Sequence, residues 1–263
     1  MKQTSISPIT VRPVKIEFSE EVNRYWLGNS PFKTHLFNSF TLLIPDIEKY
    51  IIQSIKRQLP EIKQPLLKQS AKAFIGQEVQ HSLQHTKFWD NLYQQGYEIE
   101  GYLRFLQNLL KFLGSRFSLS LNLAIIAGLE HLTTLMAEFV LEKELLAEAD
   151  PQLKALFEWH ALEEIEHKSV AYDVLQTATK SYPLRLAGLV VSHILVLGLL
   201  KLGLAVLLFQ DQKLLNRKVW QEIFEFWLFK EKFLFKVLWN IGDYTKKDFH
   251  PSQCHNLFLT EKP

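Results

Sequence analysis

Glu78 and His81, and again Glu164 and His167, stand three residues apart in helix-periodic surroundings. At about 100° per residue, side chains three apart project from neighbouring parts of one helix face, so a carboxylate and an imidazole can grip one ion. In a chain with 21 Glu and 9 His a single Glu-x-x-His would mean little. Each copy, however, has a lone glutamate upstream at a similar distance: Glu48 lies 30 residues before Glu78, and Glu130 lies 34 before Glu164. The order Glu, Glu-x-x-His is thus stated twice. His160, four before Glu164 and seven before His167, falls on the same face as both. Four carboxylates would neutralise two divalent ions, and a site of four carboxylates with two or three imidazoles suits iron or manganese better than zinc, which prefers fewer ligands and has no redox role.

Other polar residues near these positions divide by angle and context. His85 lies seven after Glu78 on the same face, open to a ligand role, a supporting role or plain core packing. His131 points about 100° away from Glu130 and reads as packing or surface. Glu163 and Glu166 read as solvated charges, and His250 in FHP as a structural stop. Tyr172 is within reach of the site, but nothing in the spacing demands it. Cys254, in QCHN, is the single cysteine, so neither a disulfide framework nor a thiolate zinc site fits within one chain.

Long apolar-periodic segments, punctuated by Pro, Gly and Asp-Pro, must position these groups, and the chain reads as all-α. Ser30-Pro31 opens a short helix, and Pro45, at a first-turn position, opens another that Pro60 stops. Pro65 starts a long helix to about Gln95, interrupted only by Gly76 and capped at Gly96. A shorter amphipathic piece follows, then a segment from about Phe117 to Ala147, then one from Pro151 to about Lys180. Four long helices result, with further helices before, between and after them.

The expected organisation is an extended N-terminal arm over 1–30, a helical bundle over 31–182, and hydrophobic and aromatic helices plus a tail over 183–263. Residues 186–209 are apolar enough to cross a bilayer, although His193 and Lys201 speak against a span. The following VWQEIFEFWLFKEKFLFKVLWNIG suits a membrane-surface helix, a homodimer contact or an aromatic packing helix.

The doubled pattern resembles the carboxylate-bridged bundles of the ferritin-like diiron superfamily, where one Glu from each of two helices and one Glu-x-x-His from each of two others point inward. The His-x-x-x-Glu-x-x-His array at 160–167 is similar to that of p-aminobenzoate N-oxygenase-type diiron oxygenases, in which an extra histidine joins the set. FIGQEVQHSLQH, GLEHLTTLMAEF, WHALEEIEHKSVAYDVL and DFHP look like the bacterial "predicted metal-dependent hydrolase" family over most of the chain. The resemblance implies a ferritin-like four-helix bundle with additional N-terminal, crossover and C-terminal helices. It makes Glu48, Glu78, His81, Glu130, Glu164 and His167 ligands of two Fe ions (alternatively Mn or a mixed Mn/Fe pair). His160 becomes a seventh ligand, and Glu78 and Glu164 the bridging carboxylates.

No Gly-x-Ser-x-Gly elbow, Walker loop, Gly-x-Gly-x-x-Gly or His-Glu-x-x-His helix appears. Two chemistries share the expected ligands: an oxidoreductase that activates O2 on a small organic substrate, and a dimetal hydrolase that activates water. The extra imidazole leans the expectation to the first, with a small-molecule substrate and an electron donor as partners. Lys plus Arg number 30 against 28 Asp plus Glu, with the signs mixed, so no nucleic-acid partner is expected. The N-terminus has no continuous apolar core of an export signal, which predicts a cytoplasmic protein, with membrane association left open.

Overall fold

In the computed structural model, which describes residues 9–12, 14–18 and 22–253, the chain from Pro31 on is built of helices, and no strand occurs among the described residues. Ser30 opens the first helix, α1 (Pro31–Gln58), by accepting the Lys33 backbone N–H on its hydroxyl at 3.1 Å. Pro45 does not start a second helix. It lies inside α1, which runs through it. Proline has no N–H to give to the Thr41 carbonyl four residues back. That carbonyl instead accepts the Trp89 indole N–H at 3.1 Å, so the missing bond is replaced from the next helix.

Pro65 at the first position opens α2 (Pro65–Gln94), and Gly96, at φ +84°, takes the left-handed conformation that ends it. A crossover helix, α3 (Glu100–Arg116), leads to α4 (Leu119–Glu142). Asp150 caps α5 (Pro151–Ala178) by accepting the backbone N–H groups of Gln152 and Leu153. Helices α1, α2, α4 and α5 pack into a bundle around one buried core.

The long apolar helix α6 (Tyr182–Gln210) lies against α4 and α1. A Cβ on Gly188 would stand 2.3 Å from the Ala124 carbonyl group, so only glycine lets the two helices come this close. Both α4 and α6 are long and apolar enough to cross a membrane. They differ in surroundings: the most apolar 18-residue stretch of α4 is 89% buried, as a core helix, and that of α6 is 44% buried. Val190, Ile194 and Phe209 of α6 face outward.

The aromatic stretch after it is not one helix. It divides into α7 (Arg217–Phe224), a π-helical turn at Glu225–Phe229, and α8 (Phe233–Tyr244), with Lys232 left-handed at φ 55° between the last two. Phe226 and Phe233 pack on Phe139 of α4, whereas Phe229, Phe235 and Trp239 are exposed. Cys254 and the rest of the tail lie outside the described residues, as do residues 1–8, 13 and 19–21 of the expected arm.

Asp211, just past α6, ties distant segments together. Its buried carboxylate accepts from His35 Nε2 at 2.7 Å, from Tyr97 OH at 3.0 Å and from Arg24. Burial alone would raise its pKa, but the hydrogen bonds from His35 and Arg24 outweigh it and hold the carboxyl below its ordinary value. A depressed carboxyl stabilises the fold above its unfolded pKa of about 4, and this is lost as pH falls through the folded value. Asp211→Asn should therefore lower stability by about 2 kcal/mol, given that Arg24 is half exposed. In denaturant titrations the deficit should be constant from about pH 5 to 8 and shrink below about pH 4. A deficit unchanged at low pH would show that the charge is not what stabilises.

Candidate metal centre

Each helix of the bundle contributes donors to one buried point: Glu48 from α1, Glu78 and His81 from α2, Glu130 from α4, and His160, Glu164 and His167 from α5. Their donor atoms form two groups, each with all members within 4.8 Å of one another. Glu48, His81, His160 and Glu164 make the first, and Glu78, Glu130, Glu164 and His167 the second. Glu164 belongs to both. Glu78, the other carboxylate expected to bridge, belongs to the second group only; its Oε1 lies 2.9 Å from His167 Nδ1.

Both Glu-x-x-His imidazoles present Nδ1 inward. His81 Nδ1 faces Glu48 at 3.5 Å and Glu164 at 3.9 Å, and His167 Nδ1 faces Glu164 at 3.5 Å and Glu130 at 3.7 Å. Their outward nitrogens are engaged, His81 Nε2 with Glu163 at 3.0 Å and His167 Nε2 with Gln77 Oε1 at 2.9 Å. An outward N–H given to a carboxylate or an amide oxygen orients each ring, while at His167 the Glu78 charge and the hydrogen bonds to Glu164 and Glu78 outweigh burial and hold the imidazole well above its ordinary pKa. His160 is turned the other way. Its Nε2 faces Glu164 at 3.1 Å, and its Nδ1 meets His85 Nε2 at 3.0 Å, whose own Nδ1 meets the Thr41 hydroxyl at 3.2 Å.

The electrostatics of this point are unbalanced. Burial, and then the neighbouring carboxylates, push the Glu48 and Glu130 carboxyls well above their ordinary range. Burial lowers His81 and His85, so these imidazoles are poor cations. Glu164 alone among the four glutamates goes down: hydrogen bonds from His160 and His167 outweigh its burial. Seven of the thirteen unpartnered buried side-chain N and O atoms among the described residues point here, from Glu48, Glu78, His81, Glu130, Glu164 and His167. Buried polar atoms are normally satisfied, so a convergent set of orphaned acceptors fits cations placed among them. The donors fit two ions of the hard or borderline kind.

Several residues differ from their sequence reading. Glu163, read as a solvated charge, is fully buried, because the N-terminal arm crosses the bundle there. Arg12 from that arm bonds both Glu163 at 3.2 Å and Glu166 at 2.5 Å. The arm's backbone is held by two α2 side chains seven residues apart, Gln77 at Thr10 and Gln84 at Val14 and Ile16. Gly76 makes room for it, since a Cβ there would meet Val11 at 2.7 Å. Gln77, which no spacing pattern marks, sits directly before Glu78 and joins the arm to His167. His131 packs on Tyr244 and faces the Asn240 carbonyl, and Tyr172 donates to the Phe249 carbonyl, so neither reaches the site. His250 pairs with Asp173 at 2.9 Å and ties the tail to α5.

Metal-free protein should therefore be limited by its own carboxylates. Glu130→Gln replaces a carboxyl whose ionisation burial already disfavours, and should leave the melting temperature measured in chelator unchanged or higher. Glu163→Ala strips His81 of its acceptor and leaves Arg12 with Glu166 alone, and should lower stability by about 1–3 kcal/mol. The reverse order would contradict this account of the site's charge.

No curated protein and no solved structure matches the chain. Residues 10–255 match a family described as predicted metal-dependent hydrolase, a match that takes in all seven converging donors. With a metal-binding arrangement of carboxylates and imidazoles at its centre, the chain belongs to that metal-dependent hydrolase family.

Proposed function

We propose that the chain is a dimetal enzyme in which Glu48, His81 and His160 hold one ion, Glu78, Glu130 and His167 hold the other, and Glu164 reaches both. The observation that carries this reading is the shared Glu164 between two donor groups, six of whose seven residues place a buried atom without a hydrogen-bond partner toward the centre. The alternation of a lone Glu with a Glu-x-x-His across four packed helices supports a likeness to ferritin-like dimetal bundles. When bound, such a pair supplies either a water acidic enough to attack at neutral pH or, with redox-active iron or manganese, electrons for O2.

Hydrolysis is the reaction that the family's description supports. The chain's own contribution is to orient donors and exclude water. Glu163 and Gln77 hold His81 and His167 with Nδ1 inward, and the Thr134 hydroxyl donates to the Glu164 backbone carbonyl at 3.1 Å, pinning α5 to α4. His160 meets His85 through Nδ1 at 3.0 Å, and that contact orients its Nε2 toward Glu164 and the site.

One observation favours a second reading, oxidation of a small organic molecule with O2 and an electron donor. A cavity of about 80 Å³ reaches His160 and Glu164, and apart from Thr133 the rest of its lining is apolar, including Phe37, Phe40, Ile44, Met136 and Phe157. It offers no cation or amide to hold a charged leaving group, whereas unactivated C–H bonds need none.

Two measurements divide these readings. Protein isolated without chelator, reduced without air and then mixed with O2 should consume it and develop a transient visible band under the oxidative reading. Metal-dependent cleavage of acyl esters in the absence of O2 would support hydrolysis. Neither activity, with two ions bound, would overturn the enzymatic proposal. His85→Phe removes the partner of His160 and should weaken one of the two ions by about 10–100-fold, leaving the other unchanged. Equal loss of both would contradict the assignment of His160 to one ion.

A further inference from the structure

Lys201 is the charge that interrupts the apolar run of α6, and the metal centre makes no use of it. It lies at the edge of a second cavity, of about 50 Å³, as the single charged residue of an otherwise apolar lining. Its ammonium stands 5.5 Å over the ring of Trp227 and has no carboxylate partner among the described residues. Trp227 belongs to the π-helical turn, a rare backbone form that often marks functional sites.

This cavity is not isolated from the metal centre. Phe37, Phe40, Met136 and Val140 line both it and the cavity that touches His160 and Glu164. These four side chains are common to the two linings, and Met is the most adaptable of core residues. The two cavities together outline an apolar path, interrupted at these side chains, with metal-site donors at one end and the exposed Lys201 ammonium at the other.

We infer that this passage takes a long-chain amphiphile with an anionic head group, its chain between α1, α4 and α6 and its head at Lys201. The inference rests on the dimetal reading above, since it names the substrate class for that site. The opposite polarity is disfavoured at the Lys201 end, where a cationic head would meet the ammonium. The groove adjoining Phe226 carries more glutamates than lysines, among them Glu222, Glu225 and Glu231, so an anionic head has one place to rest.

Calorimetric titration of the metal-free chain with laurate, dodecanol and dodecylamine, all below their aggregation limits, tests this independently of catalysis. Laurate should bind at one equivalent and at least 10-fold more tightly than the other two. Lys201→Met should erase the preference for laurate over dodecanol. Met136→Trp, which fills the junction, should abolish binding, and Val140→Phe serves the same purpose if the first variant does not fold. Equal affinity for the three probes, no saturable binding, or binding untouched by the filled junction would overturn the inference. Metal content counted separately on protein isolated without chelator keeps the two readings apart: two ions there without laurate binding defeats this inference alone, and laurate binding with no ions in that protein defeats the dimetal reading.

Discussion

Four carboxylates converge in the centre of this bundle, out of reach of water, and among the imidazoles beside them burial leaves His81 and His85 poor cations. Their mutual repulsion is the constraint on which the rest of the structure depends. Burying even one unpaired carboxylate costs several kcal/mol, so a fold that gathers four must be held by strong packing elsewhere and completed by cations. The apolar cores of α1, α4 and α5, with aromatic contacts such as Trp26 stacked on Phe157, supply the first condition. The convergent unpartnered oxygens and nitrogens fit the second.

Rigidity around that point comes from polar ties placed one layer out. Pro45 leaves the Thr41 carbonyl free, Trp89 takes it, and the Thr41 hydroxyl in turn meets His85, so one break in α1 helps join α1, α2 and α5 behind His160. On the opposite side the N-terminal arm brings Arg12 to Glu163 behind His81, and Gln77 links the arm to His167. Each inward nitrogen is thus aimed by an outward bond, and donors so held can meet an ion with little rearrangement.

The long helices and the two Glu-x-x-His pairs were legible in sequence because each signal was local: Pro and Asp caps, and carboxylate and imidazole at three-residue spacing; Glu48 and Glu130 stood out only through their repeated distance upstream and the family resemblance. Pro45 misled, since periodicity cannot show that a Trp on another helix replaces the lost hydrogen bond. Glu163 misled for a similar reason, as only the placement of an irregular arm buries it. His85 lay on the correct face, but its contact with His160 depends on the crossing of α2 and α5. The break at Lys232 carries no Gly or Pro and gave no warning. Local patterns therefore located the donors, while the groups that orient them emerged only from packing between elements.

The most direct test of the dimetal centre is anomalous diffraction from crystals of protein prepared without chelator, recorded above and below the absorption edge of the metal that elemental analysis finds. The account predicts two peaks per chain, both within bonding distance of Glu164, one also facing Glu48, His81 and His160 and the other facing Glu78, Glu130 and His167. A single peak, or none in protein shown to be folded, would contradict it.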